Sequence, residues 1–216
     1  MKQLNQYIKE KLIINKDYRY HDDKIVVKSF DELRKIIEDR YEKLGPGTKQ
    51  NPIDFNDIDV SNLDSFCNSK NEGIFQETEF KYIDISDWDV SNVKSTRHMF
   101  FGCEELKSVG DISKWDVSNV TNMTFMFHNC HYLNPDVSGW NVSNVETMTG
   151  MFISCESFNQ NISRWDVSNV TNIEVMFQFC YSFNQDLSKW DVSKIKYRDG
   201  AFDYCPIKEE YKPKFK

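Results

Sequence analysis

Apolar positions along this chain follow two different rules, a helical period near the start and a long repeat thereafter. Residues 2 to 15 set Leu4, Tyr7, Ile8, Leu12 and Ile13 at helical spacing with Lys9, Glu10 and Lys11 opposite, predicting a short amphipathic helix. At that length it needs something to dock on, in this chain or another molecule. The β-branched run Ile25, Val26 and Val27 predicts an edge strand. Ser29 and Glu32 stand at capping-box spacing. Phe30, Leu33, Ile36, Ile37, Tyr41 and Leu44 follow on one face, with Gly45 and Pro46 as the stop, so a second helix is predicted between Ser29 and Gly45.

From there the repeat takes over. The stretch WDVSNVTNMTFMFHNC, Trp115 to Cys130, recurs from Trp88, Trp140, Trp165 and Trp190, at steps of 27, 25, 25 and 25 residues. Such a period predicts a solenoid, in which each coil buries its apolar side against its neighbours. Aligned copies give apolar columns at Val90, Val117, Val142, Val167 and Val192, at Met99, Met126, Met151 and Met176, and at Phe100, Phe127, Phe152, Phe177 and Phe202. A column at Asn92, Asn119, Asn144 and Asn169 is expected to turn inward and satisfy backbone groups at a bend. Ser118 before VTNMTFMF, and Ser143 with Glu146, predict a short helix or 3₁₀ turn in each coil, ending near the Cys. The stretch FNQDLSKW, Phe183 to Trp190, reads as an extended segment, one per coil. Stacked coils would then form a parallel sheet with a spacing of ~4.8 Å. Leu187 and Trp190 are both expected inward but lie three apart, which requires a bend between them.

The ends of the array are atypical. A first copy from Ile58 to Leu63 lacks Trp, while Lys194 replaces the repeated Asn, Ala201 replaces Met, and Pro206 breaks the pattern. The expected organisation is therefore a helical leader and N-terminal cap over residues 1–50, then an array with its C-terminal cap over 51–216. The predicted fold class is an α/β solenoid, a right-handed array of about 25-residue coils with parallel strands.

Charge and composition then narrow the function. Net charge is −7, but residues 1–50 carry 12 Lys/Arg against 9 Asp/Glu and the remainder 15 against 25. An acidic repeat body repels phosphate backbones, which argues against nucleic acid as partner. A mean hydropathy of −0.63 and the lack of a long apolar run argue against a membrane span. The opening residues lack an apolar stretch of signal-peptide length, so a cytoplasmic setting is expected. Of the six cysteines, Cys103, Cys130, Cys155, Cys180 and Cys205 keep the repeat period. Their parallel side-chain directions are wrong for bridges, so free thiols packed as small apolar groups are expected. His98, Cys103, His128, Cys130 and His131 cluster in sequence but lack zinc-ligand spacing, so no metal is expected. Gly-rich phosphate loops and the common hydrolase motifs are missing too, which predicts a protein without catalytic residues or cofactor.

Two surfaces remain as binding candidates. Flanking each Trp stand Asp87 and Asp89, Lys114 and Asp116, Gly139 and Asn141, Arg164 and Asp166, Lys189 and Asp191. Two apart on a strand, each pair would share one face, and in three coils it joins a cation to an anion. Asp87 with Asp89 lacks that compensation and is the weak calcium candidate. The second surface is an aromatic edge with Phe101, Phe125, Tyr132, Phe179 and Tyr181, joined by His128 and Tyr204.

The repeats WDVSNVTNMTFMFHNC and FNQDLSKWDVS closely resemble the BspA-like leucine-rich-repeat proteins, including a repeat first grouped as a mycoplasma domain of unknown function. The resemblance covers about residues 55 to 205. It implies a leucine-rich-repeat-like strand and helical turn per coil, and a scaffold that binds a protein partner. Many such relatives are bacterial surface adhesins with a leader and an anchor, neither of which is read in this chain. The head, LNQYIKEKLIINKDYRY, resembles leaders on proteins of gut Bacteroidetes and their crAss-like phages. That implies a structural or packaged, virion-associated protein as an alternative.

Overall fold

A computed structural model of the chain describes residues 19–21 and 24–215; the helix predicted over residues 2 to 15 lies outside them. Its regular elements gather near the N-terminus: β1 (Arg19–His21), β2 (Lys24–Val26), α1 (Phe30–Leu44), β3 (Ile53–Asp54), β4 (Ile58–Asp59) and β5 (Ile83–Asp84), with a 3₁₀ turn at Glu209–Tyr211. Strand β2 is not an edge. It lies between β1, antiparallel, and β4, parallel, with Ile25 opposite Ile58. The Ile25 and Val27 N–H groups donate to the Asp57 and Asp59 carbonyls at 2.7 and 3.1 Å, so this run joins the N-terminal segment to the first coil.

Helix α1 starts where its capping residues dictate. The Ser29 hydroxyl accepts the Glu32 N–H at 3.2 Å, and the Glu32 carboxylate reaches back to the Lys28 N–H at 2.7 Å. At the other end Gly45, at φ 72°, turns the chain and donates to the Tyr41 carbonyl. Leu33, Ile36 and Ile37 are buried, Phe30 and Tyr41 pack on the core margin, and Leu44 in the last turn stays exposed.

Two arginines fasten the helix to the first coils. Arg40 is only 3% exposed, yet its guanidinium meets both Asp57 carboxylate oxygens at 2.7 and 2.8 Å, donates to the Asp54 carbonyl and lies over the Phe55 ring. Arg34 donates to the carbonyls of Gly73, Ile74 and Gln76 at 3.0 to 3.4 Å.

The repeats stack in chain order, joined by parallel bridges from Ser95 to Asn122, Thr147, Asn172 and Tyr197. This ladder follows the VSNV segment; among the described residues the stretch before each Trp, expected to be extended, pairs in parallel only in the first coils, Ile53 with Ile83 and Tyr82 with Ser108. Nor does any coil from Trp88 to Cys205 contain the predicted helix, although its residues are tightly turned. Alternate N–H groups show why. Met126, His128 and Cys130 donate within the coil to residues three back, at 3.0 to 3.4 Å. Met123, Phe125, Phe127 and Asn129 donate across to the Thr147, Thr149, Met151 and Ile153 carbonyls, at 2.8 to 3.1 Å. A helix would spend all its amides internally, whereas this wall of turns divides them between its own coil and the next.

The wall also needs backbone that no α-helix contains. Two positions per coil are left-handed. One set is His98, Phe125, Gly150, Val175 and Gly200; the other is Glu77, Gly102, Asn129, Ser154, Phe179 and Tyr204. Inside the wall the expected columns form the core. Phe75, Phe100, Phe127, Phe152, Phe177 and Phe202 stack coil on coil, with centroids 5.4 to 5.7 Å apart and ring planes within 11°. The bend required near each Trp is a turn. Trp190 donates to the Leu187 carbonyl at 3.0 Å, and Trp115, Trp140 and Trp165 do likewise three residues back. Both Leu187 and Trp190 are buried as a result.

Candidate interaction surfaces

The row beside the tryptophans is built from turns. Asp89, Asp116, Asn141, Asp166 and Asp191 each accept the N–H of the Ser two residues on, at 3.0 to 3.2 Å. These are Asx turns, in which the side-chain oxygen closes a local loop. The expected pairing of Lys114 with Asp116 across one strand face does not arise, because the backbone turns on both sides of Trp115. Hydrogen bonds from Ser113, and more weakly the Lys114 charge, hold the Asp111 carboxyl below the usual range instead. Asp186 relates to Ser188 and Lys189 in the same way. Hydrogen bonds from Ser118 and Ser168 depress Asp116 and Asp166. Lys114, Arg164 and Lys189 remain exposed. Asp87 is exposed too, and its N–H donates to the Asn56 side-chain oxygen at 2.8 Å. Among the described residues no three His, Cys, Asp or Glu side chains converge as a metal site.

The aromatic edge divides into a packed part and an open part. In the packed part His98 stacks on Phe125 at 5.5 Å, while Phe101 meets His128 edge-on at 4.5 Å. All four rings are half-buried between coils. Burial first, and then the nearby His98 and His131 charges, push the His128 pKa down to about 4. In the open part Phe179 stacks on Tyr204 at 4.8 Å and touches Tyr181 edge-on at 6.3 Å. Tyr204 is 71% exposed, Tyr181 56% and Tyr132 52%, the last with the Lys107 ammonium 5.3 Å from its ring.

Sequence reasoning missed the polar clamps between coils. Each Trp indole N–H donates to a carbonyl of the preceding coil, Trp140 to Ile112 at 2.9 Å for example. Cysteine thiols act similarly, Cys155 donating to Phe127 and Cys180 to Phe152, at 2.9 and 2.8 Å. All six thiols are free, and the buried ones are donors as well as small apolar groups. Burial pushes the Cys103 thiol up to about 11 and Cys155 higher still, so none of this core column ionises near neutrality. The Asn column is exposed and not inward, but it does satisfy backbone carbonyls as expected. Asn119, Asn144 and Asn169 donate to the Ser91, Ser118 and Ser143 carbonyls of the preceding coil at 2.7 Å and line a shallow polar groove with Thr121, Glu146, Thr171 and Lys194. The period 25 was the available signal, since a polar side chain repeated at that interval can reach the same backbone atom of its neighbour every time.

Units of about 25 residues that hand half their wall amides, one Asn, one Trp and one Cys to the adjoining unit define a repeat protein stabilised by nearest neighbours. The chain belongs to the family described as Mycoplasma protein of unknown function, DUF285, whose model matches residues 50–110, 69–180 and 103–211. No curated protein and no solved structure matches the chain. No helix among the described residues is long and apolar enough to cross a membrane.

Proposed function

We propose that this chain is a non-catalytic scaffold, a right-handed leucine-rich-repeat-like solenoid of the BspA-like group, that binds another protein through the outer surface of its coils. The open aromatic edge at Phe179, Tyr181 and Tyr204 is the principal contact. The Lys114, Arg164 and Lys189 row is the second.

One observation carries this reading. Left-handed backbone costs a residue with a Cβ about 1 to 2 kcal/mol, and glycine or asparagine largely avoids it. At the same two places in other coils the chain uses Gly102, Asn129, Gly150 and Gly200, so the wall can be built without that cost. Phe179 and Tyr204 nevertheless occupy such positions with φ of 61° and 57° and hold aromatic rings at the surface. Glu77, His98, Phe125, Ser154 and Val175 carry the same strain; what sets Phe179 and Tyr204 apart is that their stacked rings lie open beside the exposed Tyr181, and this supports a binding role. Free thiols throughout fit a reducing setting, the cytoplasm or a particle assembled there. The likeness of residues 4 to 20 to phage-protein leaders favours a second reading, a virion-associated protein directed by its head.

A quantitative pull-down from lysate of the organism that carries the gene separates these. It compares the full chain, a Tyr181→Ser/Tyr204→Asn double variant, a Lys114→Glu/Arg164→Glu/Lys189→Glu triple variant, and a chain lacking residues 1 to 16. The scaffold reading expects a partner captured by the full chain and lost with the aromatic pair, while the thermal midpoint stays within a few degrees. Loss confined to the charge-reversed chain moves the contact to the Trp-flanking row. Dependence on residues 1 to 16 alone overturns the scaffold reading in favour of assembly.

A further inference from the structure

A stack held by parallel hydrogen bonds has two unlike ends. Each coil donates its alternate wall amides to the carbonyls of the coil that follows, so the first coil is left with free acceptors and the last with free donors. At the N-terminal end the acceptors are covered, because the Arg34 guanidinium of α1 takes the Gly73, Ile74 and Gln76 carbonyls.

The other end is different. Ile173, Val175, Phe177 and Phe179 donate to the Tyr197, Asp199, Ala201 and Asp203 carbonyls at 2.8 to 3.0 Å. Their counterparts one coil later are Arg198, Gly200, Phe202 and Tyr204. Among the described residues none accepts from the N–H of these four. The segment from Ile207 to Phe215 closes the apolar core beneath, with Ile207 and Pro213 buried and Phe215 under the Arg198 guanidinium at 4.6 Å. It leaves Arg198 and Tyr204 exposed and Gly200 and Phe202 half-exposed.

We infer that this row of amides is a docking edge for an acidic peptide segment that adds one further coil to the wall. The site adjoins the aromatic edge at Tyr204, but it uses the Tyr204 backbone N–H and not the ring, so it does not rest on a contact through that edge. Three features select that occupant. Four donors alternating along the chain match a backbone offering alternate carbonyls, as the next coil does inside the stack. The half-exposed Phe202 ring, stacked on Phe177 at 5.6 Å on one side, offers its column position to one more aromatic ring. Charge also changes sign here. Residues 88–190 hold 6 Lys/Arg against 11 Asp/Glu, whereas residues 194–214 hold 6 against 4; Lys194, Lys196 and Arg198 stand exposed at the start of the edge, with Asp199 and Asp203 exposed between its amides. A second copy fits neither way round. Edge to edge, donors would face donors; edge to N-terminus, the acceptors are already taken by Arg34.

The test uses the full chain, isotopically labelled for amide NMR, and a synthetic peptide with the sequence of residues 145 to 153, whose counterpart in the stack fills this acceptor place. In the free chain the Arg198, Gly200, Phe202 and Tyr204 amides should exchange at least tenfold faster than those of Ile173, Val175, Phe177 and Phe179. Adding the peptide should shift those four signals and slow their exchange. A version with two further glutamates should bind several-fold more tightly, and Arg198→Glu should cancel that advantage without altering the fold. Four amides already protected in the free chain, or peptide-induced shifts confined to other residues, would overturn the inference. Equal binding of the two peptides would overturn its electrostatic part.

Discussion

Helix α1 and the wall of the stack are both made of tightly turned backbone with one buried side, yet they satisfy that backbone in opposite ways. The helix closes its interior hydrogen bonds within 15 residues and needs help only at its ends, from Ser29, Glu32 and Gly45. A coil closes half its wall amides internally and entrusts the rest to the next coil. The helix is therefore a locally determined element, whereas a coil is half of an interaction. A defect in the helix stays at the cap, and one in a coil is felt by its neighbours on both sides.

Phe152→Ala should sharpen that contrast most. Its ring stacks on Phe127, Phe158 and Phe177, so its removal should cost about 4 kcal/mol and leave a cavity shared by three coils. Hydrogen exchange should then show protection lost around Phe127 and Phe177 but kept in α1. Uniform loss, with α1 affected equally, would break the comparison. Arg40→Leu comes next, at about 2 kcal/mol, because it strands the Asp57 carboxylate and the Asp54 carbonyl at the junction of helix and stack. Chemical denaturation should show this loss with the central coils still exchanging slowly. Ser29→Ala should cost about 1 kcal/mol through one lost cap and fray only the first turn of α1.

The smallest effect is a pH dependence within the wall. His128 is depressed from its ordinary 6.5 to about 4, chiefly by burial, so the unfolded chain takes up its proton before the folded chain does. Its contribution is complete above about pH 6.5 and is lost as pH falls from there toward 4. His128→Gln should flatten the stability curve over that window relative to the parent. An unchanged difference between the two chains from pH 7 to pH 4 would remove His128 from the account.

Much of this architecture was legible because a repeat amplifies its own signal. The Val, Met, Phe and Cys columns are buried as aligned except at the last coil, where Phe202 and Cys205 are half-buried; α1 lies between its predicted cap and stop, and the bend between Leu187 and Trp190 exists as required. What escaped was backbone conformation. The short helix expected after Ser118 is a wall of turns, and the stretch expected as a strand before Trp190 forms no ladder and ends in a turn at Ser188 and Lys189, because propensity describes a segment alone while these segments are decided by their neighbours. The binding candidates fared similarly. Asp116 and Asp166, expected to pair with a neighbouring cation, close local loops instead, while Phe101 and Phe125 are held between coils and Tyr181 and Tyr204 stand open.

By itself the sequence determined the period, the inward columns and the place of the cap, since each depends on which side chains recur at which interval. Only the tertiary structure decided where each N–H donates, which positions turn left-handed, and that one end is sealed by Arg34 while the other presents four amides. Those features belong to pairs of coils. A hydrogen bond to a carbonyl about 25 residues away has no local signature, and it exists only once the neighbouring coil is in place.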